Sequence, residues 1–520
     1  MKKSPKASVR APALRTAAPP GGKVAIRKLP TGVRGLDEIL GGGLPEFSFN
    51  IIAGAPGCGK TTLAHQFVFA NATVRSPALY FTVLGEPPIK MLRYQQQYSF
   101  FDATKLSKSV RFINLSDVVA EKDLNAVLAR ITEEVASACP GVVVVDSFRT
   151  VMKKNSGLVQ SDHYQQSFIE RLAMLLTSYQ ATTFLVGEYS ESEVHDNPVF
   201  TVADGLLLLS QIAERNSVVR KLQVVKLRGQ ASVPGLHTIR IGNSGLQAFS
   251  RTFGLVNGKA MSETRKRLSI GIPELDKLLG GGIPEGDSVL IAGPSGTGKS
   301  ALATQFINAG LLRGEAGVIA IFEERPAKYA ARAADLGLNF KTPQKTGRLE
   351  ILYLRPLDLS VDETMQEILE AVYKTGAKRL VIDSLVGFEM ALSPGFRADF
   401  RESLYRMIAA LTGVGVTVLS TVEIEDSFTA FQFSHYAISF LTDDIIRLRY
   451  VEIDGQLRKI LGIIKMRGSN HSKDIREYVI DDRGVVIINP RRTDYTALTS
   501  GLPRQVGEKK EPPPEAKALN

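Results

Sequence analysis

The stretch GAPGCGKT occupies residues 54–61 of this 520-residue chain, and GPSGTGKS occupies residues 293–300. Both fit the pattern of a phosphate loop, in which a glycine, four residues and a second glycine are followed by Lys and then Ser or Thr. Such a loop points backbone N–H groups at a triphosphate, the lysine reaches the β- and γ-phosphates, and the hydroxyl binds Mg²⁺. Each copy follows an apolar strand-like run and precedes a helical pattern, which is the context that the motif requires. The sequence therefore predicts two sites for ATP or a close relative.

The predicted nucleotide-binding residues are those of the two loops and the residue after each loop. They are Gly54, Gly57, Gly59, Lys60, Thr61 and Thr62 in the first half, and Gly293, Gly296, Gly298, Lys299, Ser300 and Ala301 in the second. The predicted Mg²⁺ ligands are the hydroxyls of Thr61 and Ser300 and, usually through a metal-bound water, the aspartates that end two apolar runs, Asp146 and Asp383. A capping role is the alternative for each aspartate.

The similarity between the two halves extends beyond the loops. GVRGLDEILGGGLPE at residues 32–46 returns as GIPELDKLLGGGIPEG at 271–286, and VVKLRG at 224–229 returns as IIKMRG at 463–468. Strand-like runs alternate with amphipathic helical runs, which is typical of a mostly parallel sheet flanked by helices. The sequence predicts an α/β fold with two tandem P-loop NTPase domains at residues 26–256 and 257–495. A disordered basic tail at 1–25 and a disordered tail at 496–520 are expected to flank them.

The positive charge is concentrated at the amino end of the chain. The formal net charge is +11, and residues 1–36 contain nine Lys or Arg and no acid. The rest is nearly neutral, which gives no electrostatic reason to expect nucleic acid as a partner. No apolar run is long enough to cross a bilayer and only two cysteines occur, so we expect a cytoplasmic protein without membrane contact. The basic tail fits a disordered arm or a transit peptide.

Two further acids are candidates for activating water. IFEERP places Glu323 beside Glu324, and two carboxylates close to a triphosphate oppose each other's ionisation, which raises the pKa of one and makes it a better base. The corresponding TVLGEPP of the first half keeps Glu86, because Gly85 stands in place of the other acid. A solvated surface pair is the alternative interpretation.

Two Lys-x-Arg pairs recur at corresponding places, Lys226 with Arg228 and Lys465 with Arg467. Each follows a strand-like run and precedes a glycine, so both cations are expected to point the same way from a strand end. A cation near the γ-phosphate stabilises the charge that develops during phosphoryl transfer. Because the pairs lie far downstream of the loops, we expect them to act on a neighbouring subunit, in a ring closed by head-to-tail contacts. An exposed basic strand would explain a single copy.

The order of these motifs in both halves resembles the KaiC family of circadian clock ATPases, a double-domain branch of the RecA-like superfamily. The resemblance covers about residues 26–490 and is strongest in YVEIDGQLRKILGIIKMRGSNHSKDIREYVI at 450–480. It implies two RecA-like domains, a homohexameric double ring with ATP between subunits, and a slow N-terminal ATPase. It also implies a C-terminal domain that phosphorylates itself on Ser or Thr, and a small thioredoxin-like partner of the KaiB type.

The resemblance also implies roles for individual residues. It makes Glu86, Glu323 and Glu324 catalytic acids and the Lys-x-Arg pairs trans-acting groups. Counted back from LTDDII, the phosphorylated pair of the family falls on Ser439 and Phe440. We therefore expect Ser439 as a single phosphoacceptor and no two-site cycle.

The leading hypothesis is a KaiC-like hexameric ATPase with Ser/Thr autokinase activity that acts as a timer or regulatory switch. Two alternatives stay open. One is a RecA-like nucleic-acid-dependent ATPase, which the nearly neutral body disfavours. The other is a largely non-catalytic scaffold whose nucleotide controls assembly, which Gly85 favours for the first ring.

Overall fold

The computed structural model describes residues 26–83, 88–120, 123–154, 161–197, 199–214, 217–251, 266–354, 360–392, 400–424, 441–453, 455–488, 495–496 and 504–505. By its internal contacts the chain divides into two compact units. The first holds residues up to Leu209, together with Gln223–Pro234 and Ile241–Gln247, and the second holds Ser210–Leu222, Gly235–Arg240 and the chain from Ala248. The predicted limit between residues 256 and 257 lies outside the described residues and stays a prediction.

The first half alternates strands with helices. Its strands are β1 Lys28–Leu29, β2 Leu44–Pro45, β3 Phe49–Gly54, β4 Ala78–Thr82, β5 Val110–Asn114, β6 Val142–Asp146, β7 Thr182–Glu188, β8 Gly205–Glu214, β9 Ser217–Leu227, β10 Leu236–Gly242 and β11 Gly245–Phe249. Its helices are α1 Leu36–Ile39, α2 Lys60–Asn71, α3 Pro88–Gln95, α4 Ser116–Ala120, α5 Leu124–Ala138, α6 Phe148–Lys154, α7 Ser161–Ser178, α8 Glu191–Asp196 and α9 Val199–Val202. Strands β1 and β2 pair with each other, and β3 to β11 form a nine-stranded sheet in the order β11-β10-β9-β8-β3-β7-β6-β4-β5. The run from β8 to β5 is parallel.

The second half repeats this plan. Its strands are β12 Arg267–Leu268, β13 Ile283–Pro284, β14 Ser288–Gly293, β15 Gly317–Ile321, β16 Leu349–Tyr353, β17 Arg379–Asp383, β18 Thr417–Glu423, β19 Asp444–Ile453, β20 Gln456–Met466, β21 Arg476–Asp481, β22 Gly484–Ile487, β23 Tyr495–Thr496 and β24 Arg504–Gln505. Its helices are α10 Pro273–Leu278, α11 Lys299–Leu312, α12 Pro326–Asp335, α13 Lys341–Lys345, α14 Val361–Thr375, α15 Leu385–Ala391 and α16 Phe400–Gly413. The nine-stranded sheet has the order β16-β15-β17-β18-β14-β19-β20-β21-β22. It is parallel from β16 to β19 and antiparallel from β19 to β22.

Apolar packing on both faces of each sheet explains this architecture. All six residues of β3 and of β14 are buried, as expected for a central strand of a parallel sheet that helices cover on both sides. The amphipathic α14 is capped at both ends: the Ser360 side chain before it accepts a hydrogen bond from the Glu363 N–H, and Gly376, with φ 67°, follows its last residue. The prediction of an α/β fold with mostly parallel sheets flanked by helices is confirmed. Among the described residues, no helix is both long and apolar enough to span a bilayer.

Parallel pairing brings the phosphate loop and the strand-end aspartate of each half to the same end of its sheet. The carboxyl edge is the side of each sheet where its parallel strands end: β3, β4, β6 and β7 in the first half, and β14, β15, β17 and β18 in the second. The opposite side is the amino edge. Ligands of open α/β sheets bind outside the carboxyl ends of the strands. The phosphate loops and the strand-end aspartates lie at the carboxyl edge of their own halves.

Candidate functional site

The first phosphate loop joins β3 to α2. Gly54, Gly57 and Gly59 have φ values of 149°, 76° and 106°, and a Cβ on Gly59 would lie 2.7 Å from Ile241 Cδ1, so these positions favour glycine. Lys60 is 8% exposed, and its Nζ donates to the carbonyl oxygen of Ala55 at 2.8 Å. The Lys60 side chain therefore lies beside the N-terminus of α2, with Thr61 and Thr62 in the first turn of that helix. This arrangement suits phosphate binding.

The second phosphate loop joins β14 to α11 with the same design. Gly296 and Gly298 have φ values of 76° and 95°, and Lys299 Nζ donates to the carbonyl oxygen of Gly293 at 2.9 Å. Ser300 and Ala301 follow in the first turn of α11.

Three carboxylates face the lysine of the second loop. Burial lowers the pKa of Lys299, and the negative charges of Glu423, Asp383 and Glu323 oppose that shift. The position of Glu423 follows from pairing, because it ends β18 in register with Gly293. Glu188 ends β7 in register with Gly54 in the first half. Our sequence prediction missed both glutamates, although each ends a repeated apolar run.

Asp146 is buried at the carboxyl edge of the first half and takes hydrogen bonds from two hydroxyls. Thr61 Oγ1 donates to Asp146 Oδ2 at 2.9 Å, and the Tyr80 hydroxyl donates to the same oxygen at 2.8 Å. Burial raises the pKa of Asp146, and these two hydrogen bonds act in the opposite direction. His65 stacks on Tyr80 with ring centroids 4.5 Å apart, and burial lowers the pKa of His65 to about 4. The sequence prediction contained neither Tyr80 nor His65.

Asp383 occupies the corresponding place in the second half but has different partners. Thr421 Oγ1 donates to Asp383 Oδ1 at 2.6 Å, and Arg332 lies 3.9 Å from Asp383 Oδ2. The predicted metal-supporting aspartates therefore share a position on the sheet and differ in what holds them.

The two adjacent glutamates after β15 have separate partners. The Ser384 hydroxyl donates to Glu323 Oε1 at 2.7 Å, whereas Glu324 forms an ion pair with Arg332 at 2.6 Å. Glu323 is close enough to Lys299 of the phosphate loop for their charges to interact, whereas a guanidinium holds Glu324. Glu86 and Ser439 lie outside the described residues.

The Lys-x-Arg pairs lie at the amino edge, away from the phosphate loop of their own half. Lys226 Nζ donates to the carbonyl oxygen of Thr201 at 3.0 Å, and Arg228 pairs with Asp204 at 3.2 Å. Asp204 in turn accepts a hydrogen bond from the backbone N–H of Phe49, the first residue of β3.

The second half repeats this contact pattern. Lys465 Nζ donates to the carbonyl oxygen of Thr442 at 2.6 Å, and Arg467 lies 3.6 Å from the Asp443 carboxylate. Asp443 Oδ2 accepts from the backbone N–H of Ser288, which begins β14. Both cations of each pair thus lie at one strand end, as the sequence predicted. They lie opposite the phosphates that their own loop would hold.

The donor set fits Mg²⁺ rather than a metal held by a cage of side chains. Thr61 and Asp146 bring a hydroxyl and a carboxylate together, and these are hard oxygen donors of the kind that Mg²⁺ prefers. Within the described parts of the chain there is no group of three or more His, Cys, Asp or Glu that could hold a metal. Mg²⁺ commonly takes its remaining ligands from water and substrate phosphates.

Comparison with known proteins agrees with this duplicated site. The family model for the KaiC ATPase matches residues 29–252 and again residues 268–492. The circadian clock oscillator protein KaiC of Picosynechococcus sp. is 28% identical over 491 residues, which cover 92% of this chain and 93% of the relative. The protein of the same name from Rippkaea orientalis is 29% identical over 493 residues, which cover 92% of each chain. The chain therefore belongs to the KaiC ATPase family, with the family domain present twice.

Proposed function

We propose that this protein hydrolyses ATP with Mg²⁺ at both phosphate loops, and that each site is completed by a Lys-x-Arg pair from the neighbouring copy in a homohexameric ring. The observation that carries the proposal is the placement of each pair at the amino edge of its own sheet. Strand β3 spans residues Phe49–Gly54, so a pair at its start is about 17 Å along the sheet from the loop at its end, at about 3.3 Å per residue. A head-to-tail neighbour removes that separation, and contacts of this type close into rings.

The side chains of the second half suggest how hydrolysis proceeds. Lys299 and the N-terminus of α11 would hold the β- and γ-phosphates. Bound Mg²⁺, supported by Ser300 and Asp383, would neutralise phosphate charge. Glu323, oriented by Ser384, would accept the proton from the attacking water. In the first half, Lys60, Thr61 and Asp146 correspond, and Glu86 is the proposed acid.

We further propose Ser/Thr autokinase activity in the second half, with Ser439 as the single acceptor. Support comes from the family resemblance and from the position of Ser439 five residues before β19 begins at Asp444. Glu323 would accept the proton of the Ser439 hydroxyl. An unphosphorylated mass after incubation with Mg-ATP, or phosphate retained in Ser439→Ala, would contradict this assignment.

The biological role proposed here is a slow timer or switch in the cytoplasm. Its support is that the relatives are named circadian clock oscillator proteins. A KaiB-like protein is the proposed partner of the first ring. Strong stimulation of hydrolysis by single-stranded DNA would favour the nucleic-acid-dependent alternative, and nucleotide binding without turnover would favour the scaffold.

Mixing two inactive variants tests whether the sites are shared between copies. In a Lys60→Ala background, Lys299→Ala removes the second phosphate loop, and Lys465→Ala with Arg467→Ala removes the second cation pair. Each variant alone should be inactive, whereas an equal mixture should regain about a quarter of the sites, because an intact loop then meets an intact pair. Native mass with Mg-ATP would give the ring size. Mixed rings without recovered phosphate release would refute the proposal.

A further inference from the structure

The two predicted Mg²⁺-supporting aspartates differ in one respect that the repeat does not explain. Asp146 Oδ2 accepts from a buried tyrosine hydroxyl as well as from the loop threonine. We propose that Tyr80 is a positioning residue that holds the Asp146 carboxylate for Mg²⁺ at the first site only. The inference rests on the proposed function, since it assigns a role to Tyr80 in Mg-nucleotide binding there.

Tyr80 is held rigidly enough to position a partner. The residue is 0% exposed, and its ring packs against those of His65 and Phe112, at centroid distances of 4.5 Å and 5.3 Å. His65 is itself fixed, because its Nδ1 hydrogen-bonds the carbonyl oxygen of Thr61 at 2.8 Å. The hydroxyl therefore has a fixed position relative to the phosphate loop.

The two donors to Asp146 would have different roles at a Mg²⁺ site. The Thr61 hydroxyl, the predicted metal ligand, would offer an oxygen lone pair to the ion and could still donate its hydrogen to Asp146. Tyr80 approaches from β4, within the sheet, and can keep its hydrogen bond to the carboxylate. Outer-shell donors of this kind orient the ligands of a metal site and strengthen metal binding.

The second half lacks this arrangement. Tyr80 pairs in register with Val144, two residues before Asp146, and Ile319 holds the equivalent place opposite Val381. Isoleucine has no hydroxyl, and Asp383 instead accepts from Thr421, on the neighbouring strand. Loss of the Tyr80 hydroxyl should therefore raise the Mg²⁺ concentration that the first site needs and leave that of the second site unchanged.

The test is the Mg²⁺ dependence of nucleotide binding in the full chain. In a Lys299→Ala background, binding of a fluorescent ATP analogue reports on the first site. Tyr80→Phe keeps the stacked ring and removes the hydroxyl. The Mg²⁺ concentration for half-maximal binding should rise about tenfold, the low end of the range for loss of an outer-shell donor, with the affinity in EDTA unchanged. Tyr329→Phe is the matched control, because it removes a buried hydroxyl that bonds Thr304 in the other half.

Further variants show whether Tyr80 acts through Asp146. Tyr80→Phe should have no added effect on Mg²⁺ dependence when Asp146 is already Asn. If Tyr80→Phe does not fold, His65→Leu loosens the ring without removing the hydroxyl and should shift the Mg²⁺ requirement in the same direction. An unchanged Mg²⁺ requirement, or equal loss of affinity with and without Mg²⁺, would overturn the inference alone. Failure of the unsubstituted first site to bind Mg-nucleotide would overturn the proposed function with it.

Discussion

Replacing Asp444 by Asn should stabilise the second half against unfolding, and the gain should grow as pH rises. Asp444 begins β19 with 0% exposure, and within the described structure neither carboxylate oxygen has a hydrogen-bond partner. Burial, followed by the negative charges of Asp287 and Asp443, raises the pKa of Asp444 from 3.8 to about 7. The nearby backbone N–H of Arg467 and the positive charge of Arg267 act in the opposite direction. At neutral pH the buried Asp444 carboxyl therefore lowers the free energy of unfolding.

The sign and size of the effect follow from proton linkage. Because the pKa of Asp444 is higher in the folded chain than in the unfolded chain, its stabilising contribution is complete below pH 3.8 and is lost as pH rises through about 7. A difference of about three pH units, at about 1.4 kcal/mol each, gives a loss of about 3 kcal/mol at pH 6 and about 4 kcal/mol at pH 8. Asparagine does not ionise, so the variant avoids this loss.

Urea unfolding of the nucleotide-free chain at pH 6, 7 and 8, followed by circular dichroism, measures the effect. The chain has no tryptophan, so tyrosine fluorescence is the second signal. Asp443→Asn is the matched control, because that carboxylate accepts hydrogen bonds from the Ser288 N–H and hydroxyl; this variant should be less stable than the unsubstituted chain. If Asp444→Asn and the unsubstituted chain show the same pH dependence of unfolding, the reasoning is wrong.

Two other predictions concern the second site. Glu323→Gln should slow phosphate release about a hundredfold or more, as for loss of a general base. Glu324→Gln loses only a half-exposed ion pair and should slow phosphate release by less than about tenfold. Comparable rates for both variants would contradict separate roles. Gly298→Ala should lower the free energy of unfolding by about 1–3 kcal/mol and weaken nucleotide binding, since its φ is 95° and the new Cβ would lie 2.4 Å from Ile480 Cδ1. Gly376→Ala, at φ 67° with no non-neighbouring atom within 4 Å of the new Cβ, should lower the free energy of unfolding by about 1 kcal/mol and leave nucleotide binding unchanged in a titration.

The parts of the site that follow from local rules could be predicted from sequence. A phosphate loop needs glycines at positive φ before a helix that begins with Lys, so the sequence pattern alone predicts Lys60 and Lys299 as phosphate ligands. The strand-end aspartates and the Lys-x-Arg pairs were recognisable because each recurs in both halves.

The rest of the site depends on contacts between distant parts of the chain. Tyr80 lies in ALYFT, which has the composition of an ordinary buried strand, and only the pairing of β4 with β6 brings its hydroxyl to Asp146. Thr421 and Glu423 are likewise assigned by sheet register rather than by a local motif. The roles of Glu86 and Ser439 stay predictions.

A central strand with the phosphate loop at one end and the cation pair at the other gives each half a direction. In a closed ring of head-to-tail contacts, the cation end of each copy would meet the loop end of the next, so every pocket would be completed in the same way. A single chain would bind ATP without the neighbouring Lys-x-Arg cations that are proposed to promote its hydrolysis. On the proposed sharing of sites between copies, dilution to single chains should leave bound ATP intact, and hydrolysis would then depend on the concentration of the protein.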